Sequence, residues 1–179
     1  MRLKPEIPRN SKEIYKGKII SLRRDEVTVS NGNKTIREVV DHPGAVAIVP
    51  ITNDQKILLV RQYRYAAQKF LLEIPAGTLE IGEDPRVAAI RELREETGFS
   101  ANILKDLTGF WTAPGFCTEF IHGYIATELQ EDPLSPDDDE FLEIEQIRID
   151  DVKGLITRGE IQDAKSISCL LATIFNFNY

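Results

Sequence analysis

The chain has 179 residues, enough for one domain with a full core and a small appended subdomain. Its 42% hydrophobic and 28% charged content is ordinary for a soluble protein, and no apolar run approaches the roughly 18 residues that a membrane helix needs. A formal net charge of −7 argues against a nucleic-acid backbone as the main partner, so an anionic substrate would need a local cation, from protein or from metal.

The first residues, "MRLKPEIPRNSKEIYKG", lack the apolar core of a secretory signal, and a cytoplasmic location is the expectation. Strand-like segments follow at Lys18–Arg23, Glu26–Ser30, Lys34–Val40, Ala45–Pro50 and Lys56–Tyr63. Asn31-Gly32 between two of them reads as a hairpin, because both central residues of a type I′ turn need positive φ. Further strands are expected at Phe70–Ile74, Ile103–Trp111, Phe120–Leu129 and Phe141–Arg148. A helix over 85–97 is signalled by Asp84 as N-cap, Pro85 at the first helical position and Gly98 after the last turn. Two more helices are expected, from Asp150 to Arg158 and from Ala164 to Phe175, while "EDPLSPDDDE" at 131–140 reads as a loop. Cys117 and Cys169 suit buried, reduced thiols rather than a disulfide framework or zinc site. Strands at the front with helices in the middle and at the end make an α+β, mixed architecture, with residues 1–43 a separate small sheet and 44–179 the main domain.

The 85–97 helix is the informative element. Val87, Ile90 and Leu93, with Ala89, are expected to form its buried stripe. Glu92, Glu95 and Glu96 fall within an arc of about 100°, crowding three carboxylates on the last two turns, where they repel one another and oppose the helix dipole. Arg91 and Arg94 could relieve this as salt bridges on a solvated face. Alternatively, oxygen ligands with few nitrogen or sulfur donors nearby suit a hard divalent cation, Mg²⁺ or Mn²⁺, which turns the repulsion into binding and serves chemistry at phosphorus.

The second reading is favoured by a longer pattern. Gly77, five residues, Glu83, seven residues, Arg91-Glu92-Leu93, one residue, Glu95-Glu96, one residue and Gly98-Phe99 match every fixed position of the Nudix box. The chain therefore resembles the Nudix hydrolases, and this resemblance implies an α/β/α sandwich with a small N-terminal antiparallel sheet and hydrolysis of a nucleoside diphosphate linked to another moiety. It implies Glu92 and Glu96 as main metal ligands, Glu95 as a further ligand or water contact and the Ala76 carbonyl as a backbone ligand. Arg91 becomes an orienter of the glutamates and Glu83 a brace between loop and helix.

The flanks "HPGAVAIVPI", "LLVRQYRYA", "LEIPAGTLE", "PGFCTEFIH", "DDEFLEI" and "GEIQDAKS" are similar to those of the ADP-ribose pyrophosphatases, as is Pro114-Gly115 about fifteen residues past the box. Arg64 is the expected phosphate clamp, since a guanidinium forks onto phosphate oxygens, or else an edge-strand salt bridge; Arg61 is less well placed. The resemblance also implies a homodimer whose N-terminal sheet contacts the base through Arg37, Glu38 and His42, with Thr78 a further substrate contact. His42 reads equally as a structural residue, and His122 reads as one. Glu140, with Asp139 next, is expected to activate the attacking water from the acidic loop, and Glu119 is a weaker candidate. The resulting expectation is Mg²⁺-dependent conversion of ADP-ribose to AMP and ribose 5-phosphate. GDP-mannose or another nucleoside diphosphate sugar is the alternative within enzymes, and a non-catalytic ADP-ribose sensor the alternative outside them. Glu96 is expected outside the core, so that Glu96→Gln would spare the fold.

Overall fold

The computed structural model describes residues 4–135 and 141–177. Asp139 and Glu140 lie outside the described residues. The chain divides into two compact units.

Residues up to Gly44, with Trp111–Phe120, form the first unit. Strands β1 (Ile7–Lys16), β2 (Ser21–Thr28) and β3 (Lys34–Asp41) pair antiparallel in that order. β1 is absent from the sequence expectations because Pro8 and its charged residues mask a strand pattern. It is an exposed edge strand with register shifts at Pro8/Asn10 and Glu13/Tyr15, positions where an edge tolerates both proline and bulges. The two expected segments Lys18–Arg23 and Glu26–Ser30 are instead one strand, β2. The apparent break at Arg24-Asp25 disappears because the buried Asp25 carboxylate accepts a hydrogen bond from Ser11 (2.6 Å) and pairs with Arg23.

The β2–β3 turn also differs from type I′. Only Gly32 has positive φ (89°); its N–H donates to the Val29 carbonyl (2.8 Å), and the Val29 N–H donates to Asn33 (2.9 Å). This is a three-residue hairpin in which a single glycine supplies the left-handed position, so Asn31 need not leave ordinary backbone space. Trp111–Phe120 docks along β3, with the Val40 N–H donating to Phe116 (2.7 Å) and the Thr118 N–H to Val40 (2.9 Å).

The second unit holds β4 (Ala45–Pro50), β5 (Lys56–Arg64), β6 (Lys69–Glu73), β7 (Ala76–Thr78) and α1 (Pro85–Thr97), together with most of β8 (Phe99–Trp111) and β9 (Phe120–Glu131). β10 (Glu143–Arg148), a 3₁₀ turn (Ile149–Asp151), α2 (Val152–Thr157) and α3 (Ala164–Phe177) complete it. One sheet runs β7-β4-β9-β8 and the other β10-β5-β6, so the class is α+β with mixed sheets.

Every residue of β4 is buried, which accounts for its unbroken apolar run: both faces of the strand are covered. Ala45, Ala47 and Val49 join the cluster containing Leu170 and Ile174 of α3. Val46 and Ile48 join Ala88, Ala89 and Leu93 of α1 in a second cluster. The sheet thus lies between α1 and α3, and its inner strand β4 pairs with β7, the segment that faces the α1 carboxylates. No helix among the described residues is long and apolar enough to cross a membrane.

Candidate functional site

The helix that carries the acidic cluster is built as its ends predict. The Asp84 carboxylate accepts from the N–H groups of Arg86 (2.9 Å) and Val87 (3.2 Å), Pro85 occupies the first turn, and Gly98 closes the helix at φ 76°. The buried face differs from the expected stripe. Val87 and Ile90 are exposed, and Ala88, Ala89, Glu92, Leu93, Glu96 and Thr97 are buried. Steps of three residues wind off the helix face faster than steps of four, so the rows 88-92-96 and 89-93-97 are the ones held against the sheet. The small side chains of Ala88 and Ala89 let α1 approach β4 closely.

One consequence is that Glu92 (6% exposed) and Glu96 (4% exposed) point inward, contrary to the expectation that Glu96 lies outside the core. β7 runs beside this carboxylate row, held by pairing of Ala47 with Ala76 and Val46 with Gly77. The Ala76 N–H donates to Glu96 Oε2 at 3.0 Å. At Gly77 a Cβ would lie 1.9 Å from the Glu92 carboxyl carbon. The first glycine of the acidic pattern is therefore required by a close approach, because Glu92 fills the space a side chain would occupy.

Arg91 ties the other carboxylates together. Its Nε and Nη2 donate to the two Glu83 oxygens at 3.1 Å each, and Nη1 donates to Glu92 Oε1 and Glu95 Oε2, both at 2.8 Å. The fork from Arg91 holds the Glu83 carboxyl below its ordinary range, and the same hydrogen bonds, led by Glu83, raise the guanidinium further above its own. Glu83 also accepts the Glu80 N–H at 3.0 Å, bracing the loop before the helix. Arg94 does not share in this: it turns away to Asp132, donating to its carboxylate at 3.0 Å.

Glu83, Glu92 and Glu95 thus gather around one guanidinium, while Glu96 is held by the Ala76 N–H. Among the described residues no three acidic, histidine or cysteine side chains already converge at metal-binding spacing. The donor set nevertheless fits a hard divalent cation: all its atoms are oxygens, and the glycine cradle brings a backbone segment against the buried carboxylates.

The expected substrate contacts are scattered. Arg64 is a salt bridge in this structure, forking onto Glu73 through Nε (2.9 Å) and Nη2 (2.7 Å). Arg61 pairs with Glu145. Thr78 is exposed at the end of β7, opposite Ala45. In the first unit Arg37 donates to both Glu6 oxygens (3.1 and 2.6 Å), and Glu38 is exposed opposite Arg24. His42 is anchored by the Gly44 N–H, which donates to its Nδ1 at 3.0 Å, and its Nε2 lies 3.7 Å from Glu119. Glu119 also accepts from Thr112 (2.8 Å), in keeping with a local structural part for Glu119.

Sequence reasoning missed Glu73, Lys165 and Asp163. Glu73 is 1% exposed, yet it carries a charge between Leu72 and Ile74 in the apolar run "FLLEIP". That charge in an otherwise apolar strand was the available signal, because a buried carboxylate must find cations. Lys165 and Asp163 belong to a helix N-terminus that reads from sequence only as a cap. Both cysteines are free thiols, and burial pushes the Cys169 thiol up to about 12, so it is inert.

Residues 41–169 match the family model described as NUDIX domain, and residues 8–40 match the nucleoside diphosphate sugar hydrolase N-terminal domain. The chain is 42% identical over 156 residues to an ADP-ribose pyrophosphatase of Bacillus subtilis, covering 86% of this chain and 84% of the relative. It is 43% identical over 159 residues to the methanol dehydrogenase activator of Bacillus methanolicus, covering 88% and 86%. The crystal structure of an ADP compounds hydrolase superposes with a TM-score of 0.86 at 25% identity, over 97% of this chain and 94% of that one.

Proposed function

The chain belongs to the Nudix hydrolase family, and from that premise we propose that it hydrolyses the diphosphate bond of ADP-ribose to give AMP and ribose 5-phosphate. The observation that carries the reading is the Glu92 carboxylate lodged against Gly77, because it joins the box glycine and the box helix into one acidic cradle. Similarity across most of the chain to a protein named for ADP-ribose supports that substrate over other nucleoside diphosphate sugars.

Nudix hydrolases generally use divalent metal ions. In this chain Glu92, Glu96, Glu95 and the Ala76 carbonyl would hold Mg²⁺ or Mn²⁺, which when bound neutralises charge at the diphosphate. Arg91 holds Glu92 and Glu95 in one orientation through Nη1 and leans on Glu83 through its other edge. Glu140, or Asp139 beside it, takes the proton from a water that attacks one phosphorus, and the phosphate of the other half leaves. Arg64 contacts the diphosphate, Thr78 lies beside it, and Arg37, Glu38 and His42 serve the base from the N-terminal sheet of a partner copy. A homodimer is supported by the exposure of all of β1, including Ile7, Ile14 and Tyr15, which leaves apolar side chains without cover in a single chain.

The test is product analysis after incubation with ADP-ribose, GDP-mannose, NADH and diadenosine phosphates, with Mg²⁺ and then with EDTA. Metal-dependent AMP release, fastest from ADP-ribose, is expected, and Glu96→Gln should lower turnover by on the order of a hundredfold or more. Faster cleavage of GDP-mannose moves the specificity and keeps the chemistry, whereas binding without cleavage of any compound makes the chain an ADP-ribose sensor. The comparable similarity to the methanol dehydrogenase activator supports a second reading, activation of a dehydrogenase, which a methanol dehydrogenase assay with and without the chain tests.

A further inference from the structure

Beside the acidic cradle lies a second charged cluster with a different construction. Glu73 ends β6 and is 1% exposed; its oxygens accept the Arg64 fork and the Lys165 ammonium. Lys165 in turn donates to Asp163 at 2.9 Å, and Asp163 caps α3 by accepting the Ser166 N–H (2.9 Å) and hydroxyl (2.6 Å). The Ser166 oxygen accepts the Ile74 N–H at 2.9 Å, tying the cap to the strand that carries Glu73.

Two carboxylates and two cations balance, so the cluster is satisfied. It is nonetheless an expensive way to fill a core, since apolar residues of equal volume are commonly as stable. Its asymmetry suggests a use. Glu73 is buried and Lys165 and Asp163 are partly buried, whereas Arg64 has 41% of its side chain in solvent. The Arg64 Nε and Nη2 are committed to Glu73, and its Nη1 has no hydrogen-bond partner among the described residues. Three residues after Glu73, the Ala76 N–H donates to Glu96, so one short stretch of backbone links the clamp to the cradle.

We propose that Glu73, backed by Lys165 and Asp163, is a positioning residue that holds Arg64 edge-on and presents its open side to a substrate phosphate. This rests on the reading of the cradle as a nucleoside diphosphate hydrolase site. A guanidinium already anchored along one edge loses little freedom when it meets a phosphate, and its bidentate protein contact fixes the plane in which it can bind. Lys165 has no such open edge, and serves to keep Glu73 ionised.

The test compares wild type, Glu73→Gln, Arg64→Ala and the double variant by steady-state kinetics on ADP-ribose with saturating Mg²⁺. Glu73→Gln should raise KM about tenfold with a smaller change in kcat, because a substrate-binding interaction has been loosened. Adding Glu73→Gln to Arg64→Ala should change KM by no more than about twofold, since Glu73 acts only through Arg64. Glu73→Asp keeps the charge and shortens the reach; it is expected to raise KM in the same sense and serves if Glu73→Gln does not fold. A wild-type KM in either folded variant, or full additivity in the double variant, overturns the proposal while leaving the hydrolase reading intact. Failure of the wild-type protein to cleave any nucleoside diphosphate sugar overturns both.

Discussion

Gly77 shows how one missing atom governs the site. Its φ lies outside the left-handed region, so alanine is allowed there by the backbone, and the nearest obstacle is the Glu92 carboxyl group. That group is the end of a flexible side chain and can swing aside. Gly77→Ala should therefore leave the thermal midpoint close to wild type while lowering turnover by on the order of a hundredfold, as a displaced ligand would. A melt paired with a rate measurement separates this from general unfolding. The glutamates themselves were legible from their spacing, but the inward direction of Glu96 was not, because it depends on which row of α1 meets the sheet. Glu73 was equally hidden: its neighbours announce a strand, and nothing local announces Arg64 and Lys165 as its partners.

At the scale of elements, α1 was readable to the residue because its ends are written in local chemistry. Asp84, Pro85 and Gly98 each act on backbone groups one to four positions away. Asp84→Ala should remove two hydrogen bonds to the first turn and cost about 1 kcal/mol, measurable as a lower denaturant midpoint with an unchanged slope. The faces of α1 were less readable, since Val87 and Ile90 are apolar yet exposed, and the packing surface is made by two alanines. β1 escaped notice for the related reason that an edge strand with no buried residue carries no alternation to detect. The β2–β3 hairpin was found through Asn31-Gly32, although the turn is closed by Gly32 with only one positive φ.

Across the whole molecule, the buried charges tie stability to pH. Burial alone would raise the Glu73 carboxyl, but the Arg64 fork and the Lys165 charge outweigh it and hold the group below its ordinary value. Asp163 is likewise held low, with Lys165 and Ser166 overcoming its burial. A carboxylate depressed in the folded state adds stability above its unfolded value, and that stability is lost as pH falls through the folded value. The thermal midpoint should accordingly fall as pH drops below about 4, where free carboxylates titrate, and Glu73→Gln should show a shallower acid loss. Calorimetric melts from pH 7 down to pH 3 on both proteins check this.

The amino-acid sequence by itself determined the α+β class, the limits of α1, the acidic pattern with its reaction type, and the family, because each rests on spacing along one segment. Only the tertiary structure decided which α1 face is buried, why Gly77 must lack a side chain, and how Arg64, Glu73 and Lys165 meet. Those facts arise where strands and helices far apart in the chain are pressed together, and the energy of a buried charge depends on the partners that such packing supplies.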